Sequence, residues 1–285
     1  MPRPGLSLVR TAQVAVVASL TSIAAASSAH AQQYPSTMQA VMVNGVWSAW
    51  MQQADVVQTA NPKGGLNAQV TLHSNYLGAP LMELVTMALV GKQIDAKLEL
   101  ATFSFNNGAP LSALHLVRPQ VTEVNLPGAD ATTDAVASFG VKFSQVPAES
   151  GTPSSGKPSA TQKSNLIYTR NFRFDVDSLP GKPVVSVAPL VIPASAVVKA
   201  APYPTLIVSA SPLANVAQQQ WLAECQRWLA SGQPRNGTLT FLSPNLTTPV
   251  LTERFTGLRV ASIATVSGRP TVTLTMTAMS ITPAK

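Results

Sequence analysis

The chain has 285 residues, of which 46% are hydrophobic and only 11% charged, with 19 Lys+Arg against 12 Asp+Glu. Charge this sparse, with no stripe of basic residues interleaved with aromatics, gives nucleic-acid binding no support, and a single cysteine, Cys225, rules out an internal disulfide framework. Neutral surfaces rich in Thr, Ser, Ala and Val are easily desolvated, which favours a protein that packs against other copies or partners.

In chain order, Arg3 and Arg10 make a basic start, an apolar run follows over residues 14–26, and Ala29-His30-Ala31 has the small-x-small pattern that signal peptidase accepts. This predicts a signal peptide over residues 1–31 and a mature protein from Gln32, periplasmic or extracellular, that meets the membrane only during export. The apolar run is shorter than the roughly 20 residues a helix needs to span a bilayer. A short strand is then expected at residues 68–73. Leu81, Leu84, Val85, Ala88 and Leu89 share one helical face, and Gly91 supplies a left-handed end to that helix. Strands are expected at residues 94–105 and 111–126, with a turn at Asn106-Asn107-Gly108 and a bend near Pro119. A polar loop with Asp130 and Asp134 leads to an alternating strand at 135–146.

Residues 148–164 are rich in Pro, Ser, Gly and Lys and have no apolar period, so they read as a linker between domains at 33–147 and 165–285. The second domain opens with the alternating Asn171–Asp177 stretch and turns at Pro180-Gly181. A short strand at 206–209 precedes a helix expected to begin at Ser211-Pro212. Its buried stripe is Trp221, Leu222, Cys225, Trp228 and Leu229, and Gly232 ends it. Strands follow at 237–242, 250–255 and 259–265. A last strand at 271–281 sets Val272, Leu274, Met276 and Ala278 against Thr271, Thr273, Thr275 and Thr277. The same unit of short strand, helix and several strands is therefore written twice. The expected fold class is mainly β (α+β): two tandem small β-barrels, each with one packed α-helix.

No candidate site assembles from these residues. The stretch from Gly151 to Lys157 is nearly a phosphate-binding loop, but Pro158 stands where Ser or Thr should hold magnesium. His73 and His115 lie on expected strands without a ligand partner at metal spacing. Asp175 and Asp177 are two carboxylates on one strand face, too few for a cation site. Asp130 and Asp134 read as solvated loop residues. Glu123 and Glu253 take similar places in the two copies without a second carboxylate nearby. Cys225 reads as a buried small hydrophobe. The expectation is no catalytic, cofactor-binding or metal residue, no cofactor, and no enzyme activity. The Thr face of the last strand fits a channel lining, a neighbouring sheet edge, a sugar surface, or an ordinary wet sheet face.

Several short segments carry a resemblance. In the first copy these are Val70-Thr71-Leu72-His73, Ala79-Pro80-Leu81-Met82-Glu83-Leu84, Leu89-Val90-Gly91-Lys92, Ala96-Lys97-Leu98-Glu99-Leu100, Val121-Thr122-Glu123-Val124 and Phe139-Gly140-Val141-Lys142-Phe143. In the second they are Phe172-Arg173-Phe174-Asp175-Val176-Asp177 and Trp228-Leu229-Ala230-Ser231-Gly232 with Arg235-Asn236-Gly237-Thr238. Together they resemble the haemolysin-coregulated protein (Hcp) of type VI secretion and the tail-tube proteins of contractile phages. The resemblance implies a subunit of rings that stack into a tube, here with two copies per chain and three chains completing a ring of six barrels. It also implies a secreted cargo carried or passed by the tube. The leader is a departure, because family tube proteins assemble in the cytoplasm without one. The expected function is thus an exported, non-enzymatic, structural homo-oligomer. The alternative is a secreted bivalent binding module for polysaccharide or a cell-surface partner, for which Trp47 and Trp50 are the tryptophans outside the second helix.

Overall fold

Period-two alternation dominates the sequence, and strands dominate the molecule. A computed structural model describes residues 37–62, 65–92, 95–157, 166–179, 183–194, 202–212 and 215–283. The first half runs β1 (Thr37–Val43), β2 (Val46–Met51), β3 (Gln53–Ala60), β4 (Leu66–Ser74), α1 (Ala79–Leu89), β5 (Lys97–Ser104), β6 (Pro110–Val117), β7 (Val121–Leu126), β8 (Ala129–Asp130), β9 (Phe139–Phe143) and β10 (Val146–Gly151). The second runs β11 (Phe172–Val176), β12 (Val184–Val187), β13 (Leu190–Pro193), β14 (Leu206–Ala210), α2 (Val216–Ser231), β15 (Arg235–Leu242), β16 (Pro249–Val266), β17 (Arg269–Thr275) and β18 (Ala278–Pro283). The protein is mainly β, with two barrel-like halves and, among the described residues, α1 in the first and α2 in the second.

The duplication is written in the hydrogen-bond ladders. The first half pairs β1–β5–β6–β10 and the second pairs β11–β15–β16–β18 through the leading part of β16. The first half also pairs β7–β9–β4–β3, and the second pairs the trailing part of β16 with β17, then β14, then β12. Even the irregularities recur. The β5–β6 ladder slips before Phe103 meets Pro110, and the β15–β16 ladder slips before Leu242 meets Pro249. A bulge follows Val121, which faces Phe143, and its counterpart follows Val260, which faces Leu274. Between β6 and β7, Arg118 takes φ 54°; the matching position in β16 is Gly257 at φ 65°. A left-handed residue at one place in both halves bends a strand from one sheet row into the other.

Both helices are fixed by polar caps. Ser48 of β2 receives the Leu81 amide on its hydroxyl at 3.1 Å and donates to the Gly78 carbonyl at 3.2 Å. A cross-strand serine thus does the work of an N-cap side chain. A Cβ on Gly78 would lie 1.7 Å from the Ser48 carbonyl oxygen, so glycine is required there. Helix α2 begins at an Asn215–Gln218 capping box and ends on Gly232 at φ 60°. Its start is therefore several residues beyond the Ser211-Pro212 position expected from sequence. Trp221, Cys225 and Trp228 are buried as expected, whereas Leu229 is 41% exposed.

Other expectations shift as well. The single strand expected at 135–146 divides into β9 and β10, and the one at 271–281 into β17 and β18. Residues 148–151, read as linker, are the end of β10, and most of the remaining linker lies outside the described residues. The leader and the Pro180-Gly181 turn lie outside them too. Strands β1, β2, β3, β8, β12 and β13 had no counterpart in the sequence reading, which placed Asp130 of β8 in a loop. One hydrophobic core, from Val41 through Phe139 and Trp221 to Ile281, runs through both halves. A smaller cluster of Ala40, Ala101, Phe103 and Ala113 sits under Trp47 and Trp50.

Candidate assembly interface

The two halves are joined by exchanged strands. β13 of the second half pairs antiparallel with β7 of the first, Leu190 opposite Leu126, Val191 opposite Asn125, Ile192 opposite Val124 and Pro193 opposite Glu123. In return β8 of the first half pairs with β12, Ala129 opposite Val187 and Asp130 opposite Ser186. Leu190, Ile192, Val124 and Leu126 are all buried at this joint. Close backbone approach is enforced by Gly128, where a Cβ would meet the Val187 carbonyl oxygen and the Pro189 nitrogen, each at 2.8 Å. Asp130 accepts from the Thr132 amide at 2.8 Å and hydroxyl at 2.6 Å, and the Thr132 hydroxyl bond chiefly holds its pKa low. Helix α1 packs on β18 across the same joint. An apolar groove of about 450 Å³ lies there, lined by Tyr76, Met82, Met87, Phe139, Ile167 and Leu251 among others.

Each partner in this joint has a counterpart elsewhere in the chain with its outer edge unused. The ladders align β3 with β12 and β13, since both follow the same edge of β4 or β14. Val57, Gln58, Thr59 and Ala60 take the places of Leu190, Val191, Ile192 and Pro193. Through the shared bulge, Ser262, Ile263, Ala264 and Thr265 of β16 take the places of Glu123, Val124, Asn125 and Leu126. Among the described residues, β3 pairs only with β4, and the trailing part of β16 pairs only with β17. Val57 is 59% exposed where its counterpart Leu190 is 3%. Neither free edge bears a charged residue from Val56 to Ala60 or from Val260 to Val266. Exposed edges are normally blocked by lysines, prolines or bulges, so two long neutral edges are competent to pair.

The residues singled out from sequence form no reactive centre. His73 Nε2 lies 3.2 Å from Asp55 Oδ2 across β3–β4, both side chains exposed. His115 Nδ1 lies 3.7 Å from Glu99 Oε2, and Glu99 also accepts the Ser154 amide at 2.7 Å and its hydroxyl at 2.5 Å. The carboxylate thus stands between hydroxyl and imidazole, the reverse of a serine–histidine–acid order in which the histidine must touch the serine. It pins residues 152–157, including most of the phosphate-loop-like stretch, against β5. Trp47 reinforces this by donating its indole N–H to the Ser155 carbonyl at 3.3 Å. Trp47 and Trp50 are both partly buried and pack against Phe103 in T-shaped contacts, with ring centroids 5.6 Å and 5.4 Å away. Asp175 is held by Arg173 at 2.6 Å; Asp177 lies just past β11 and accepts the Asn236 amide at 3.2 Å. Asp134 pairs with Arg170 at 3.2 Å. Among the described residues no three His, Cys, Asp or Glu side chains gather as a metal site.

Two buried groups stand apart. Cys225 is fully buried, and burial pushes its thiol up to about 12, which removes nucleophilic character. Glu253 is 1% exposed, its Oε1 has no hydrogen-bond partner, and burial pushes its carboxyl up to about 8. The ladders overturn the expected match of Glu123 with Glu253. Glu123 corresponds to Ser262, and Glu253 corresponds to Leu114, each centred between its two neighbouring strands.

No family model matches the chain, and no curated protein matches it. Solved structures that do match include the sheath/tube terminator of the PVC extracellular contractile injection system in its extended state. It is 11% identical with a TM-score of 0.31, over 44% of this chain and 99% of the other. Another is the tube-terminating cap of the anti-feeding prophage, 15% identical with a TM-score of 0.31, over 44% of this chain and 97% of the other. At that TM-score the likeness carries no argument about function. No described helix is long and apolar enough to cross a membrane.

Proposed function

We propose that this protein is a structural subunit, exported by its leader, that assembles with copies of itself through sheet edges into rings or stacked rings. Three chains would complete a ring of six barrels, the number the Hcp and tail-tube resemblance implies. Such a ring would pass or carry a secreted cargo, outside the inner membrane. The two domains, at 33–147 and 165–285, are the repeating unit of that ring. The observation that carries the reading is the pair of neutral strand edges left open among the described residues, in a chain whose own halves are held together by strand edges.

Purified protein lacking residues 1–31 tests it. Light scattering coupled to size exclusion, at tens of micromolar, is expected to give a defined multiple of the chain mass, with rings in negative stain. A protein that stays monomeric at every concentration overturns the reading.

A further inference from the structure

From the repeated ladders we infer that the contact between chains is a copy of the joint inside the chain. The outer edge of β3 in one chain pairs antiparallel with the trailing part of β16 in the next, setting Val57 opposite Thr265, Gln58 opposite Ala264, Thr59 opposite Ile263 and Ala60 opposite Ser262. This rests on the self-assembly reading and adds its interface and register.

The argument is positional. In the folded chain the segment after β12 reaches out as β13 and adds to β7. The same construction exists a second time with its parts separated. β3 holds the place of β12 and β13, and the trailing part of β16 holds the place of β7, down to the bulge after Val121 and Val260. These two edges are on opposite halves of the tandem, so they serve different neighbours. The contact is therefore head-to-tail, and repeating it builds a closed ring or an open filament rather than a two-fold dimer.

Chemistry fits the same partner. Val57 and Ile263 are uncovered or half-covered apolar side chains, and Gln58, Thr59, Ser262 and Thr265 are small or neutral. A strand added there meets no charge that must be desolvated. One feature of the internal joint is missing. The first half inserts β8 between β7 and β9, where it clamps β12, but β16 turns directly into β17 at Ser267-Gly268. The contact between chains lacks that clamp, so it dissociates on dilution while the internal joint holds.

Cysteine pairs test the register in the full chain. Gln58→Cys and Ala264→Cys are made separately. Oxidised alone, each single variant is expected to stay unlinked; mixed, they are expected to form a disulfide-linked dimer. The wild-type chain under the same oxidant is the background, its one thiol being buried. Val191→Cys with Asn125→Cys in one chain is the internal counterpart and is expected to close a bridge without changing the mass. A mixture of Gln53→Cys with Ala264→Cys, five positions out of register, is expected to remain unlinked. Mass measured on the same samples separates the failures. Multimers in which the Gln58–Ala264 mixture does not link, or in which the out-of-register mixture links equally, overturn this interface and leave self-assembly standing. Linking within a single variant overturns the head-to-tail geometry. Monomers throughout overturn both.

Discussion

Glu253 is the residue whose placement has the clearest energetic consequence. Folding moves its carboxyl from an apolar-free surrounding in the unfolded chain to the centre of a barrel half, where desolvation raises the pKa from the ordinary 4.5 to about 8. Below about pH 4.5 both states hold the proton and its contribution to stability is complete. Between there and about pH 8 only the folded state keeps it, so stability falls as pH rises, by an amount on the order of a few kcal/mol. The first half carries Leu114 at the same place and has no such dependence there. Glu253→Leu is expected to flatten the fall and to raise stability in alkaline buffer. Urea unfolding at about pH 5 and about pH 9 measures both; an unchanged pH slope in the variant would assign the dependence to another group. Gly78 offers a second residue-scale check. Gly78→Ala places a methyl against the Ser48 carbonyl and is expected to cost roughly 1–3 kcal/mol by displacing the start of α1. A wild-type melting temperature would show instead that β2 moves aside freely.

Among the elements, those with a periodic apolar face were legible from sequence. α1, α2, β4, β14 and the last strands read correctly in kind because their buried residues recur at 3.6 or 2.0 positions and glycines mark the helix ends. The arms did not. β3 is exposed at nearly every position, so it shows no alternation, and β13 is four residues ending in proline. Both owe their conformation to a neighbouring strand rather than to their own pattern. The trailing part of β16 was legible as a strand at 259–265, but its open side was not, and the false match of Glu123 with Glu253 arose because only pairing partners fix which positions correspond. The near phosphate loop was legible as a decoy, since Pro158 already disqualified it, but its pinning by Glu99 was not, because fifty-five positions separate Glu99 from Ser154. The internal joint gives an element-scale prediction. Ile192→Ala removes a buried side chain from the β13–β7 pairing and is expected to cost roughly 2–5 kcal/mol. Thr59→Ala, at the matching place on β3, is expected to leave the folded stability of dilute protein within about 0.5 kcal/mol of wild type. Equal losses in the two variants would mean that β3 is already covered within a single chain.

At the scale of the molecule, one ladder pattern used twice produces a chain whose ends are complementary. The first half donates an edge that the second half covers, and the second half presents the same edge again with no described strand paired to it. Because the open edges are uncharged, their association is expected to change little with ionic strength, unlike a contact driven by opposite charges. Sedimentation at about 0.05 M and about 0.5 M salt checks this; dissociation at the higher value would point to ion pairs elsewhere on the surface.

The most direct measurement is amide hydrogen exchange across a concentration series. Protection of residues 57–60 and 262–265 is expected to rise together as the protein is concentrated, while residues 190–192 stay protected at every dilution. Exchange at the two open edges that remains fast in concentrated protein, with the internal joint protected, would contradict the account.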